Sequence, residues 1–244
     1  DELLDHMGAF AGFLAEQWRD ERPDVAHGHF WMSGIATQLA ARSEGIPTVQ
    51  TFHALGAVKR RHQGAADTSP AVRLKLERLV ARSASWIAAT CTDEVFELTR
   101  MGRTRNGMSV VPCGVDLESF STEGLVASRE STHRIVSVGR MLPRKGFDTV
   151  IEALPAIADA EYVIAGGPDF AHLGEDPEVC RLRALARDLG VADRVTFTGA
   201  VARDDMPALL RSADVVACTP WYGAFGIVPL EAMACGVPVV ASAV

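Results

Sequence analysis

Positive charge is in short supply in this chain: 24 lysines and arginines stand against 31 aspartates and glutamates, a formal net charge of -7. No basic surplus is available to cover a polyanion, which argues against a general nucleic-acid binder. Cysteine is also scarce and scattered, with five residues at 91, 113, 180, 218 and 235 and no CxxC pair. That pattern excludes a disulfide framework and a thiolate metal site. It reads as free thiols, three of them in apolar or tightly packed surroundings, in a reducing cytoplasm. No apolar run is long enough to cross a bilayer and no secretory leader is recognisable, so the expected location is cytoplasmic, with peripheral membrane contact left open. No GxGxxG opens a strand–helix unit, which argues against a dinucleotide-dependent oxidoreductase. Low-complexity segments and short repeats are missing as well.

What remains is an ordinary globular composition, 48% apolar and 23% charged, in 244 residues. That is enough for one large domain or two small ones. The chain starts without Met inside a helical pattern and stops just after an apolar strand, so it is expected to be a piece of a longer protein. Apolar spacing predicts helices over 1–19, 32–43, 70–83 and 93–101, the last capped by Thr92 or Asp93. Short apolar runs over 24–29, 47–52, 86–90 and 108–111 predict strands, and 59–69 reads as a polar loop. Periodicity fails from 112 to 131 and then restarts. Strands are expected over 134–138, 162–165, 195–197, 215–217 and 239–241, with helices over 147–157, 178–189, 204–212 and 225–234. Acidic pairs before two of these helices, Glu175-Asp176 and Asp204-Asp205, are read as caps. Alternating strands and helices predict two doubly wound α/β halves with parallel sheets, divided as 1–126 and 127–244 around a linker at 122–132.

The residues that point to chemistry cluster at predicted strand ends. Residues 137–146, SVGRMLPRKG, run from a strand through Gly139 into Arg140, Arg144 and Lys145 before a helical pattern. Arg140 can clamp a phosphate in bidentate fashion, Lys145 supplies a point charge, and outward amides at a helix start add positive potential. Downstream, Gly226 opens a predicted helix whose one carboxylate is Glu231, either on a wet face or aimed into a cleft. His53 directly follows a strand, where open α/β sheets bind ligands. The run Lys59-Arg60-Arg61-His62 is either a solvated loop or a site for an anionic acceptor. His27 and His29 share one face of a strand but lack an evident third ligand, so packing and hydrogen bonding is the reading there and no metal is expected.

Together these pieces resemble the retaining GT-B glycosyltransferases of the glycosyl-transfer group 1, family 4-like class. The resemblance is nearest the branch of inositol-phosphate glycosyltransferases and sucrose-phosphate synthases. It rests on HGHFWMSG (27–34), QTFHALGAVK (50–59), VVPCGVDLESF (110–120), SVGRMLPRKG (137–146), VIAGGP (163–168) and FGIVPLEAMACGVPVVAS (225–242). It implies two Rossmann-like domains facing a cleft, both incomplete here, and same-face transfer of a sugar from a nucleotide diphosphate sugar to a small-molecule acceptor without cofactor or metal. By resemblance, Gly139, Arg140 and Lys145 hold the donor diphosphate, and Glu231 takes the ribose hydroxyls. Gly223, Ala224, Phe225 and Gly226 contact the sugar or phosphate. His53 lies beside the transferred sugar, with Lys59 and Arg60 on the acceptor side. The sequence departs from the family at three positions: Gly223 stands where a glutamate is usual, and Phe30 and Ala54 stand where the inositol-phosphate branch carries Tyr and Thr. The alternatives are a non-catalytic nucleotide-sugar binder or inactive fragment, and a sugar-nucleotide epimerase on the same architecture.

Overall fold

The computed structural model describes residues 2–223 and 226–243, and the chain divides into two compact units, Asp1–Cys113 and Gly114–Val244. The first has a 3-10 segment (Glu2–His6) leading into α1 (Met7–Asp20) and carries four parallel strands in the order β1 (Ala26–His29), β2 (Thr48–Thr51), β3 (Trp86–Ala89), β4 (Met108–Val110). The crossovers contain α2 (Trp31–Glu44), α3 (Gly56–Gln63), α4 (Arg73–Ser83) and α5 (Thr92–Arg100). Strand order follows chain order, so this sheet grows in one direction only. Trp31, Phe52, Ile87 and Leu98, each no more than 2% exposed, form the centre of its core.

The second unit holds β5 (His133–Val138), β6 (Ala160–Ala165), β7 (Val195–Gly199), β8 (Val215–Cys218) and β9 (Val239–Ala241), all parallel, in the order β7-β6-β5-β8-β9. Its helices are α6 (Phe147–Ala153), α7 (Pro177–Asp188), α8 (Met206–Arg211) and α9 (Ile227–Ala234). The chain runs outward from β5 to β7, then returns to start again at β8 on β5's other side. The carboxyl ends of β5 and β8 therefore flank the point where winding reverses, the usual ligand crevice of an open α/β sheet. Alternate side chains feed two cores: Ile135 and Ile164 pack with Ile151, Leu154 and Leu182 on one face, while Val136 and Val163 pack with Leu210, Val216 and Ala232 on the other. Every residue of β6 is buried, as a strand covered on both faces requires. At the amino-terminal end, away from the crevice, buried Arg134 donates to Glu161 at 2.8 Å, to Ser212 Oγ at 2.8 Å and to the Ser128 carbonyl at 2.7 Å.

The two compact units meet at Cys113 and Gly114: Phe120 and Val115 pack into the second core, and Arg211 donates to the carbonyls of Ser121 and Leu125. Several expectations are corrected. Residues 59–63, read as loop, lie in α3; lysine and arginine favour helix, and Arg60, Arg61 and His62 occupy the last turn, where cations suit the dipole. The helix expected over 147–157 gives way after Ala153 to a 3-10 turn, Leu154–Ala156, because Pro155 has no amide to continue the ladder. At α5 the capping position is Cys91, with no side-chain bond, and Asp205 likewise makes none at α8. Asp176 does cap α7, accepting from the amides of Glu178 and Val179. All five cysteines are free, but only Cys235 is fully buried; Cys180 is exposed and Cys91, Cys113 and Cys218 are intermediate.

Candidate functional site

The reversal point of the second sheet is built by glycine. Gly139 donates its amide to the Ala165 carbonyl at 2.9 Å, and Gly166 (φ 120) lies so close to the Gly139 carbonyl that a β-carbon there would collide with it. Gly146 adopts φ 68, ψ 28, the left-handed region open to glycine at no steric cost, and a β-carbon would strike the Thr219 carbonyl. Thr219 Oγ1 donates to the Gly146 carbonyl at 2.7 Å, and the Trp221 amide donates to the Arg144 carbonyl at 2.9 Å. The loop after β5 is thereby stitched to the loop after β8.

This stitching gathers cations. The Lys145 stem packs over Gly139, where a β-carbon would lie 3.3 Å from Cε. Burial lowers the Lys145 pKa, and the nearby positive charges of Arg144 and Arg140 lower it further. Arg144 sits 5.4 Å over the Tyr222 ring, and Arg140 is exposed. Three positive groups thus share one end of the sheet, and an anion arriving there would relieve their mutual repulsion.

Glu231 lies on α9 and is 6% exposed, so the wet-face alternative is removed. Its Oε1 is 3.6 Å from Arg203 Nη1, and the Arg203 guanidinium lies 5.3 Å over the Phe120 ring. Burial raises the Glu231 pKa, and Arg203 pulls it partly back. Gly226, in extended conformation, precedes α9, and at Gly223 no atom of the described residues lies within 4 Å of where a β-carbon would be. Ala224 and Phe225 lie outside the described residues.

In the first unit, His53 (φ 60) begins the turn between β2 and α3. Its Nε2 is 2.9 Å from His29 Nδ1 at the end of β1, and the two rings stack at 5.2 Å and 17°. His27 Nε2 is 2.9 Å from Thr51 Oγ1; burial lowers its pKa, helped by charge on His29 and His53. Among the described residues no three His, Cys, Asp or Glu side chains are arranged to hold a metal. The basic run is divided by its partners. Lys59 pairs with Asp67 at 3.0 Å and Ser69 Oγ at 2.9 Å, and Arg61 forks onto Glu97 at 2.9 and 2.8 Å, while Arg60 is exposed. Sequence reading missed the His29–His53 contact, the Arg203–Glu231 pair and a buried Arg73–Glu77 pair beneath the His53 turn. Only the i,i+4 spacing of the last was a legible signal.

Residues 2–119 match the family model "Glycosyltransferase Family 4", and residues 126–244 match "Glycosyl transferases group 1". A D-inositol 3-phosphate glycosyltransferase of Mycolicibacterium gilvum is 37% identical over 229 residues, covering 91% of this chain and 51% of that protein. The chain therefore spans about half the length of the curated relatives it matches. Sucrose-phosphate synthase from Thermosynechococcus elongatus superposes with a TM-score of 0.86 at 26% identity, over 99% of this chain and 61% of that one. Anabaena HepE, solved in complex with UDP-glucose, shares the fold with a TM-score of 0.76 at 22% identity, over 95% of this chain and 62% of that one. No described helix is long and apolar enough to cross a membrane. A parallel sheet in each unit, a glycine-built cationic crevice in the second, and two adjoining family matches agree: this chain belongs to the GT-B glycosyltransferases of family 4 and group 1.

Proposed function

We propose that this chain forms the core of a retaining glycosyltransferase that moves a hexose-type sugar from a nucleotide diphosphate sugar to a small hydroxylated acceptor. The observation that carries the reading is the gathering of Arg140, Arg144 and Lys145 at the reversal point of the second sheet, held there by the Gly146–Thr219 stitch. Arg140 and Lys145 take the diphosphate. Glu231, kept from water but paired with Arg203, takes the ribose hydroxyls as acceptor. As the bond from the anomeric carbon to the diphosphate breaks, the departing oxygen accepts the proton of the attacking hydroxyl, and the cations stabilise its growing charge. The new bond forms on the same face of the sugar. His53 stands beside the transferred sugar, with Lys59 and Arg60 on the acceptor side. A phosphate-bearing acceptor would find two fewer hydroxyl donors here than in the inositol-phosphate branch, since Phe30 and Ala54 offer none. The site proposed needs no metal and no cofactor.

The test is thermal shift of the protein with UDP-, GDP- and ADP-sugars, because a ligand at about 100 times its Kd stabilises the native state by about 2.7 kcal/mol. One nucleotide class should raise the melting temperature. Arg140→Ala and Lys145→Ala should each weaken that binding by about 1.5–3 kcal/mol, the worth of a charge-assisted hydrogen bond, while melting normally without ligand. Unchanged binding in both variants refutes the assignment. A second reading, a nucleotide-sugar binder without transfer, draws on Gly223 in place of the usual glutamate; binding with no sugar transferred to any acceptor would favour it. Conversion of the donor in the absence of an acceptor would indicate an epimerase.

A further inference from the structure

Three non-glycine residues among those described hold a positive φ: Phe30 at 67°, His53 at 60° and Asp159 at 52°. Phe30 and His53 follow β1 and β2, neighbouring parallel strands in which His29 pairs with Thr51. Such backbone is sparsely populated by residues with a β-carbon and persists where its surroundings dictate it. Here the surroundings are polar and buried. Gln50 Nε2 donates to the Phe30 carbonyl at 3.2 Å and to the Thr51 carbonyl at 3.0 Å. Beneath His53, Glu77 is 0% exposed, and its two oxygens accept the Gly56 amide at 3.0 and 2.9 Å. Glu77 Oε1 also accepts from Arg73 Nε at 2.7 Å. Arg73 in turn donates to the Ala54 carbonyl at 3.0 Å and to Ser69 Oγ at 3.2 Å, with its guanidinium 5.3 Å over the Phe30 ring.

The two backbone groups that close the turn after His53, the Ala54 carbonyl and the Gly56 amide, are therefore both tied to one ion pair. Gly56 admits the pair closely: a β-carbon there would lie 2.9 Å from Arg73 Nε and 3.1 Å from Glu77 Oε2. A buried ion pair is poor value as a stabiliser, because desolvating two charges offsets most of their attraction, and a packed apolar pair would serve as well. What an apolar pair could not do is fix the direction of an amide and a carbonyl.

We infer that Glu77 is a positioning residue for His53: through the Gly56 amide and Arg73 it holds the 53–56 turn so that the His53 ring meets His29. This inference rests on the reading of His53 as the group beside the transferred sugar, but its first test does not. In the 15N-labelled protein, long-range proton–nitrogen spectra of the histidine rings at fixed pH should show one nitrogen of His29 and one of His53 sharing a hydrogen bond. Glu77→Gln keeps the shape and removes the charge. It should remain folded by circular dichroism yet lose that shared signature, leaving His53 with the tautomer mixture of a solvated imidazole. Gly56→Ala, which presses on the pair from the other side, should do the same and serves if Glu77→Gln does not fold. Wild-type ring signals in either folded variant would overturn the inference and leave the pair a stabiliser only. In turnover, Glu77→Gln should lower kcat on the order of 10- to 100-fold with donor KM unchanged, as displacement of a placed group does. A raised donor KM at unchanged kcat would count against it. Absence of any turnover in the wild type would refute the proposed transferase and leave the ring signals to decide this point.

Discussion

Lys145 and Glu231 are each held short of water, and burial disfavours the charge of both. For Glu231 this makes stability depend on pH. An acid whose pKa is raised on folding binds its proton more tightly in the native state, so its stabilising share is complete below the ordinary carboxylate range and is lost as pH rises through the raised value. Glu231→Gln cannot ionise and should melt higher than wild type at pH 7, with the difference vanishing toward pH 4. It should also weaken nucleotide binding by about 1.5–3 kcal/mol, the worth of a hydrogen bond to a charged group. A variant less stable than wild type at neutral pH would mean that the Arg203 contact outweighs desolvation. Gly223 offers the opposite experiment. Among the described residues nothing lies within 4 Å of where its β-carbon would be, and in Gly223→Glu a carboxylate reaching the donor sugar should tighten donor binding by about 1.5–3 kcal/mol. Titration of donor affinity checks it, and a loss would show that the site has adapted to glycine.

Elements position these residues through their joints. The loop after β5 and the loop after β8 meet at Gly146 and Thr219, with the Trp221 amide on the Arg144 carbonyl. Gly146→Ala must either leave the left-handed conformation or push the Thr219 carbonyl aside. It should cost about 1–3 kcal/mol in urea unfolding and weaken nucleotide binding as the cations spread. An unchanged midpoint would show that the turn can relax. This joint was half legible: glycine between a basic pair and a helix announces a turn, but nothing local announces Thr219, 73 residues away. The helix over 56–63 was not legible, since GAVKRRHQ has too few apolar residues to show a 3.6 period. Nor did Asp93 in the first turn of α5, or Asp205 before α8, supply a cap. A cap needs backbone geometry as well as an oxygen, which Asp176 has and Asp205 lacks.

For the whole molecule, strand and helix alternation carried the fold class, because each element's periodicity is written in adjacent residues and parallel strands need helical crossovers between them. The sequence by itself therefore determined two parallel α/β units, the cations at 140 and 145 on a strand end, and the carboxylate at 231 on a helix. It could not determine the sheet order β7-β6-β5-β8-β9, which places the ends of β5 and β8 side by side. Nor could it reveal His29 against His53, Arg203 against Glu231, or Glu77 under Gly56. Those meetings join residues that are far apart in the chain. Only the packing of strands brings them within hydrogen-bond or Coulombic reach, and contacts of that kind leave no periodic trace in the residues between.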